Sequence, residues 1–409
     1  MHTWRKVGCC LAAAVALSAS AVTIQVDQVK QRYPWNGIVD IDYTLTYQDG
    51  ESLLNPTTDR IWFKVINNAV EPATTNVALC LDKFPVPVSA GSHRIAWNAN
   101  ADKVNFVSKN VTVVASVSRY LERYMIVNLT EKDPDTGLFR VNFTIQKPEG
   151  GFDQDLYKGD KMVFRLVPPG AFTMGSPTTE VGRCPRMTDF GRDTEVQHPV
   201  MISKPMYVGI FPVTQKQWSL LVGNLPNSQS SAGNYKPVSI PRYSYARGGD
   251  WPTQTGVGSG SFIGILRAKT GYDFDLPTEA QWEYACRAGT TSAFNNGTES
   301  PDGLAQYNQT ALADVGTFAP NAWGLYDMHG NIWEVCLDYW STSPENLPVV
   351  DPVGPTTGEK IKGSVNRVIR GGRWAMQPSQ IRSANRDGMA IDQEYSTGGN
   401  GIRVFLTVK

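Results

Sequence analysis

The 409-residue sequence lacks a net field of either sign: 38 lysines and arginines stand against 38 aspartates and glutamates, a formal net charge of +0. Without a basic excess there is no electrostatic footprint for nucleic acid or an anionic lipid surface, so no nucleic-acid partner is expected. Histidine is scarce, four in all, and His93, His198 and His329 stand far apart, outside any helical pair spacing. No Cys-x-x-Cys pair accompanies them. Zinc and non-haem iron centres need clustered imidazole and thiolate donors and are not expected. There is no phosphate loop and no Gly-x-Ser-x-Gly elbow, and "GVGSGS" and "STGGNG" read as turns.

Long apolar runs are also missing. The one near the start, in "MHTWRKVGCCLAAAVALSASA", follows Arg5 and Lys6 and ends in Ala19-Ser20-Ala21. It is shorter than the ~20 residues a membrane span requires. Its three regions are those of an export signal, so residues 1–21 are expected to be cleaved after Ala21, with no transmembrane segment in the mature chain. A periplasmic or extracellular location follows. Cys9 and Cys10 leave with the signal, and Cys80, Cys184, Cys286 and Cys336 face an oxidising compartment with at most two disulfides possible.

A chain this long, 41% hydrophobic, can build two or three cores. From Val22 to about Ser118, stretches such as "GIVDIDYTLTY" and "DRIWFKVIN" alternate polar with β-branched or aromatic residues between turn residues. Six or seven short strands there predict an all-β, immunoglobulin-like sandwich over 22–118. Residues 119–160 read as a β-rich bridge with turn text at "EKDPDTG" and "KPEGGFDQD".

After Lys161 glycine, tryptophan, arginine and asparagine rise. Three helices are legible. "PVTQKQWSLLVGN" and "LPTEAQWEYACRAG" each carry a capping box, Thr214 with Gln217 and Thr278 with Gln281, and stop at Gly223 and Gly289. "SGSFIGILRAKTG" puts Phe262, Ile265 and Leu266 on one face and ends at Gly271. The rest is mostly loop, which requires buried tryptophans, bound ions or disulfides to hold it.

"RLVPPGAFTMGS", "MYVGIFPVTQKQW", "DLPTEAQWEYACRAGT", "NAWGLYDMHGNIWEVCLDYW", "VIRGGRW" and "IRSANRD" with "GIRVFL" follow one another in order across residues 161–409. Together they strongly resemble the formylglycine-generating enzyme, or sulfatase-modifying factor, family. The resemblance implies an irregular α+β fold related to C-type lectins, often stabilised by calcium. The oxidase of that family binds copper through two cysteines and converts a sulfatase cysteine to formylglycine. In "RGGRWAMQPSQIRSANR" the matching serine position holds Arg373, and the two cysteine positions fall on Met376 and Ile381. Copper is therefore not expected, because copper(I) and thiol exchange both need thiolate sulfur.

The same resemblance implies a calcium site in the turn 323–340, with Asp327 and Glu334 as side-chain ligands and the carbonyls of Gly330 and Ile332 between them. The competing reading has Asp327 capping a turn and Glu334 pairing with an arginine such as Arg370. It also implies a Cys286–Cys336 disulfide, against which stand two buried free thiols. Trp333 is read either as core or as part of a ligand cleft with Arg373 and Met376. Arg370, Arg373, Arg382, Arg386 and Arg403 gather near the end, and Arg373 in that cleft would suit a carboxylate or sulfate, unless it forms a structural pair with an Asp or Glu. The expected function is an exported binding module for a protein, peptide or glycan, the alternative an oxidase-like enzyme acting on a protein cysteine.

Overall fold

The computed structural model describes residues 22–31, 38–47, 60–67, 74–80, 90–98, 111–118, 123–144, 146–183, 193–226, 229, 231–344, 347, 349–361, 363–391, 394 and 398–408. The expected export signal and Cys184 lie outside them, as does the side chain of Cys80. The chain divides into two compact units, 1–121 and 122–409.

In the first unit the alternating text forms six strands: β1 (Val22–Gln31), β2 (Ile38–Tyr47), β3 (Arg60–Asn67), β4 (Thr74–Cys80), β5 (Gly91–Asn98) and β6 (Val111–Ser118). They make two three-stranded antiparallel sheets, β1-β2-β5 and β4-β3-β6. In β2 the period of two is visible in burial. Val39, Ile41, Tyr43 and Leu45 are buried, while Asp40, Asp42 and Thr44 between them are not.

The second unit contains strands β7 (Tyr124–Lys132), β8 (Phe139–Thr144), β9 (Lys161–Val167), β10 (Gly170–Met174), β11 (His198–Ile202), β12 (Met206–Gly209), β13 (Trp333–Tyr339), β14 (Lys360–Ile361), β15 (Ser364–Arg370), β16 (Arg386–Ala390), β17 (Asn400–Gly401) and β18 (Phe405–Thr407). Its helices are α1 (Asp155–Lys158), α2 (Gln215–Val222), α3 (Tyr243–Ala246), α4 (Phe262–Thr270) and α5 (Glu279–Arg287). It is a mixed, strand-rich α+β fold with few helices. One sheet has the order β18-β12-β9-β7-β8. Of the expected bridge, residues 124–144 belong to this sheet: β7 pairs with β9 from Tyr124↔Arg165 to Asn128↔Lys161, and β8 forms the sheet edge. Met125 and Val127 of β7 are fully buried, so these strands supply core.

A second sheet, β14-β15-β13-β17 with β16 on β15, carries the chemistry-bearing turns at its strand ends. Both capping boxes form as the sequence predicts, on Thr214 and on Thr278. Helix α4 starts at Ser261, whose hydroxyl accepts from the Gly264 amide, and ends at Gly271 in the left-handed region. Its buried face differs from expectation, with Ile263 fully buried and Ile265 only half so. Helix α5 ends one residue early, on Ala288 with φ 46°, before Gly289.

What holds the loops is arginine. Arg247, Arg367, Arg370, Arg382 and Arg403 are among the largest fully buried side chains. Arg247 donates to the carbonyls of Gly248, Thr255 and Gly256, Arg367 to those of Trp251 and Leu337, and Arg403 to those of Gly209 and Tyr326. A guanidinium offers five donors in a fixed fork, so one side chain can satisfy several loop carbonyls that no ladder reaches.

Candidate functional site

Strand β13 begins at the end of the turn that was expected to bind calcium. Asp327 has φ 54° and is buried; its Oδ2 accepts from the Gly316 amide at 2.7 Å. Burial pushes its carboxyl up to about 6, against the opposing pull of that amide and of Arg403. Gly330 has φ 68°, and a Cβ there would collide with the Gln306 carbonyl, so the position requires glycine. The Gly330 carbonyl accepts from the Ile332 amide at 2.7 Å, which turns it back into the loop.

Glu334 decides the matter. Its Oε1 accepts from Arg403 Nη2 at 2.7 Å, and its Oε2 from Arg403 Nε at 2.9 Å and Trp282 Nε1 at 2.6 Å. Three N–H donors hold the two oxygens, so the carboxylate serves here as the counter-ion of a buried guanidinium. Among the described residues no group of three or more His, Cys, Asp or Glu side chains could hold a metal. Glu334 is an ion-pair partner, though not of Arg370. Arg370 faces Glu334 across the β13–β15 ladder, but its guanidinium turns to Glu283 on α5 and to the Ser383 and Ala384 carbonyls.

Cys286 and Cys336 are both free and buried, so the expected disulfide is not formed. Cys286, on α5, lies 3.7 Å from His329 Nε2 and 3.8 Å from Ser383 Oγ. Cys336 points to the Glu334 carbonyl. A thiol beside an imidazole suggests a nucleophile with its base. Burial argues otherwise, pushing the Cys286 thiol up to about 12 and His329 down to about 4. His329 Nδ1 donates to the Ile381 carbonyl at 2.7 Å, leaving Nε2 to accept from the Asn295 amide. The pair is neutral, and thiolate chemistry needs the anion.

The cleft residues fall into two groups. Trp333 is 4% exposed and belongs to the interior, not to a cleft wall. Arg373 and Met376 are half-buried and close one turn, the Met376 amide donating to the Arg373 carbonyl at 3.0 Å. Residues 308 and 309 run alongside, donating to the Met376 and Trp374 carbonyls. Met376 and Tyr307 pack on an apolar cluster of Ala293, Phe294, Leu304, Ala305 and Ile381, in which Ile381 has no exposed surface. The five C-terminal arginines then separate. Arg370 holds Glu283, Arg382 holds Glu180 and Glu195, Arg386 holds Glu279, and Arg403 holds Glu334. Arg373 has no carboxylate among the described residues.

Residues 152–407 match the family described as the Sulfatase-modifying factor enzyme 1-like domain. The chain belongs to this family. Over 127 residues it is 37% identical to a formylglycine-generating enzyme of Thermomonospora curvata, covering 25% of this chain and 39% of that protein. Over 149 residues it is 35% identical to one of Streptomyces coelicolor, covering 31% and 45%. It is 29% identical over 211 residues to the serine/threonine-protein kinase pkn1 of Chlamydia caviae, covering 48% and 32%. The chain thus spans less than half the length of these relatives. Among solved structures it resembles PvdO from Pseudomonas aeruginosa, with a TM-score of 0.48 and 26% identity over 60% of this chain and 94% of that one.

For a sulfatase-modifying factor domain, the residues that sequence reasoning missed are the carboxylate partners. Glu195 and Glu283 meet arginines 187 and 87 positions away, separations that carry no periodicity. Only Glu283–Arg287, four apart on α5, leaves a local signal. Tyr307 and Phe294, which line the cluster beside Met376, sit in loop text and were equally invisible.

Proposed function

We propose that this chain is an exported recognition module of the sulfatase-modifying factor family and that it does not oxidise cysteine to formylglycine. The observation that carries the reading is the chemistry at the two positions matching the oxidase cysteines. Met376 supplies one half-buried thioether, and Ile381 supplies a buried aliphatic side chain packed on Phe294 and Leu304. Copper(I) prefers soft thiolate ligands, and covalent exchange with a substrate cysteine needs a thiol. Neither side chain provides one. The nearby thiol, Cys286, is held neutral in the core beside His329.

On this reading the ligand is a protein, peptide or glycan received near Arg373 and Met376, and the kinship of the fold to C-type lectins belongs to the same proposal. The named oxidase activity of the relatives stays with them. The test is direct: purified chain is incubated with copper(I), oxygen and a Cys-x-Pro-x-Arg peptide, and peptide aldehyde is measured by mass. The peptide is expected to stay unchanged; catalytic aldehyde formation sinks the proposal.

A further inference from the structure

We propose that Arg373 is a receptor for a single carboxylate group on the ligand of this domain, with Met376 carried on the same turn. The inference rests on the recognition reading above and names the chemistry of that same site. Four of the five clustered arginines are neutralised by buried glutamates. The Arg373 guanidinium donates no hydrogen bond among the described residues, and its Nε is enclosed without an acceptor. Arg367 and Arg370 also enclose an Nε without an acceptor, but their terminal nitrogens reach carbonyls or a carboxylate, while those of Arg373 reach none among the described residues and so define what the site lacks.

Two contacts hold the side chain in place without spending its donors. Its guanidinium lies over the Trp374 ring, 5.4 Å from the centroid. Trp374 itself is anchored in the interior on Leu312 and Ile332. Behind it, Gly399 has φ 113°, and a Cβ there would meet Arg373 Nη1 at 2.9 Å and Cδ at 3.0 Å, so only glycine lets the arginine lie where it does. A planar fork held over an aromatic face and against the backbone, with its terminal nitrogens unbonded, is preorganised for a planar two-oxygen acceptor. One guanidinium balances one negative charge, and Arg370, Arg382, Arg386 and Arg403 have none to spare. A monoanionic carboxylate therefore fits better than a phosphate dianion. Met376, whose amide donates to the Arg373 carbonyl, packs half-buried on the apolar cluster of Phe294 and Ile381, so its methyl reports on the turn that carries Arg373.

The test uses the full chain labelled at methionine methyl groups, with the Met376 signal assigned from Met376→Leu. It is titrated with 3-phenylpropionate, with the neutral 3-phenylpropionamide and with phenyl phosphate. The acid is expected to shift the Met376 methyl in a saturable way, and the amide to bind at least about tenfold more weakly, as loss of a charge-assisted pair implies. Arg373→Gln should lose the acid effect, while Arg373→Lys, which keeps the charge without the fork, should retain part of it; both should keep the wild-type unfolding midpoint. The proposal is overturned if the acid gives no saturable shift, if the amide matches it, if phenyl phosphate binds more tightly, or if Arg373→Gln binds the acid as wild type does. A chain that binds the acid and also makes peptide aldehyde loses the recognition reading alone. One that makes no aldehyde and ignores the acid loses this inference alone.

Discussion

Glu334 and Arg403, 69 positions apart, form a two-pronged ion pair with no exposed surface on the guanidinium, Nη2 reaching Oε1 at 2.7 Å and Nε reaching Oε2 at 2.9 Å. Trp282 adds a third donor, so the carboxylate ties α5, β13 and the C-terminal segment together. Removing one partner of such a pair leaves a buried charge uncompensated. Glu334→Gln is expected to lower stability by about 3–5 kcal/mol, measured by denaturant unfolding. Since Arg403 already balances the charge on Glu334, calcium and its chelation should leave the wild-type unfolding midpoint unchanged. A calcium-dependent rise would restore the ion that the sequence reading placed here.

The thiols give a chemical test. Cys286 and Cys336 are free, buried and raised in pKa by desolvation. Alkylation mapped by mass spectrometry should find both unmodified in the folded protein and both modified after unfolding without reductant. If modification requires a reductant, they are paired after all.

Asp338 predicts a pH dependence. It is fully buried, its Oδ2 accepts from the Glu279 amide at 2.8 Å, and burial followed by the charge of Glu279 pushes its carboxyl up to about 7. The folded chain therefore holds this proton more tightly than the unfolded chain, whose value lies near 3.8. Stability from this residue is full below that lower value and declines as pH rises toward 7, by an amount on the order of 4 kcal/mol. Asp338→Asn keeps the acceptor and cannot ionise. The difference in unfolding midpoint between pH 5 and pH 8 should shrink in this variant; an unaltered difference would remove Asp338 as its source.

Gly330 tests the turn itself. With φ 68° and the Gln306 carbonyl where a Cβ would stand, Gly330→Ala combines backbone strain with overpacking. A loss of roughly 2–5 kcal/mol is expected, whereas the same change at Gly289, where nothing lies within 4 Å of the added carbon, leaves backbone strain alone. Denaturant midpoints of the two variants should differ in that order.

Local chemistry determined much of this protein in advance. The capping boxes at Thr214 and Thr278, the alternation of β2 and the ordered segments from Arg165 to Leu406 depend on neighbours within a few positions, and all were legible in the sequence. The lack of a thiol at Met376 and Ile381 was legible too, because a side chain carries its own donor atoms. Tertiary structure alone decided which charges meet. It turned Arg370 away from Glu334 toward Glu283, gave Glu334 to Arg403, kept Cys286 and Cys336 unpaired, drew residues 124–144 into the main sheet, and left Arg373 without a glutamate among the described residues. Long loops impose no period on the chain, and a guanidinium can reach in many directions. The partner of each buried arginine is therefore set by where the loops converge, which no local pattern records.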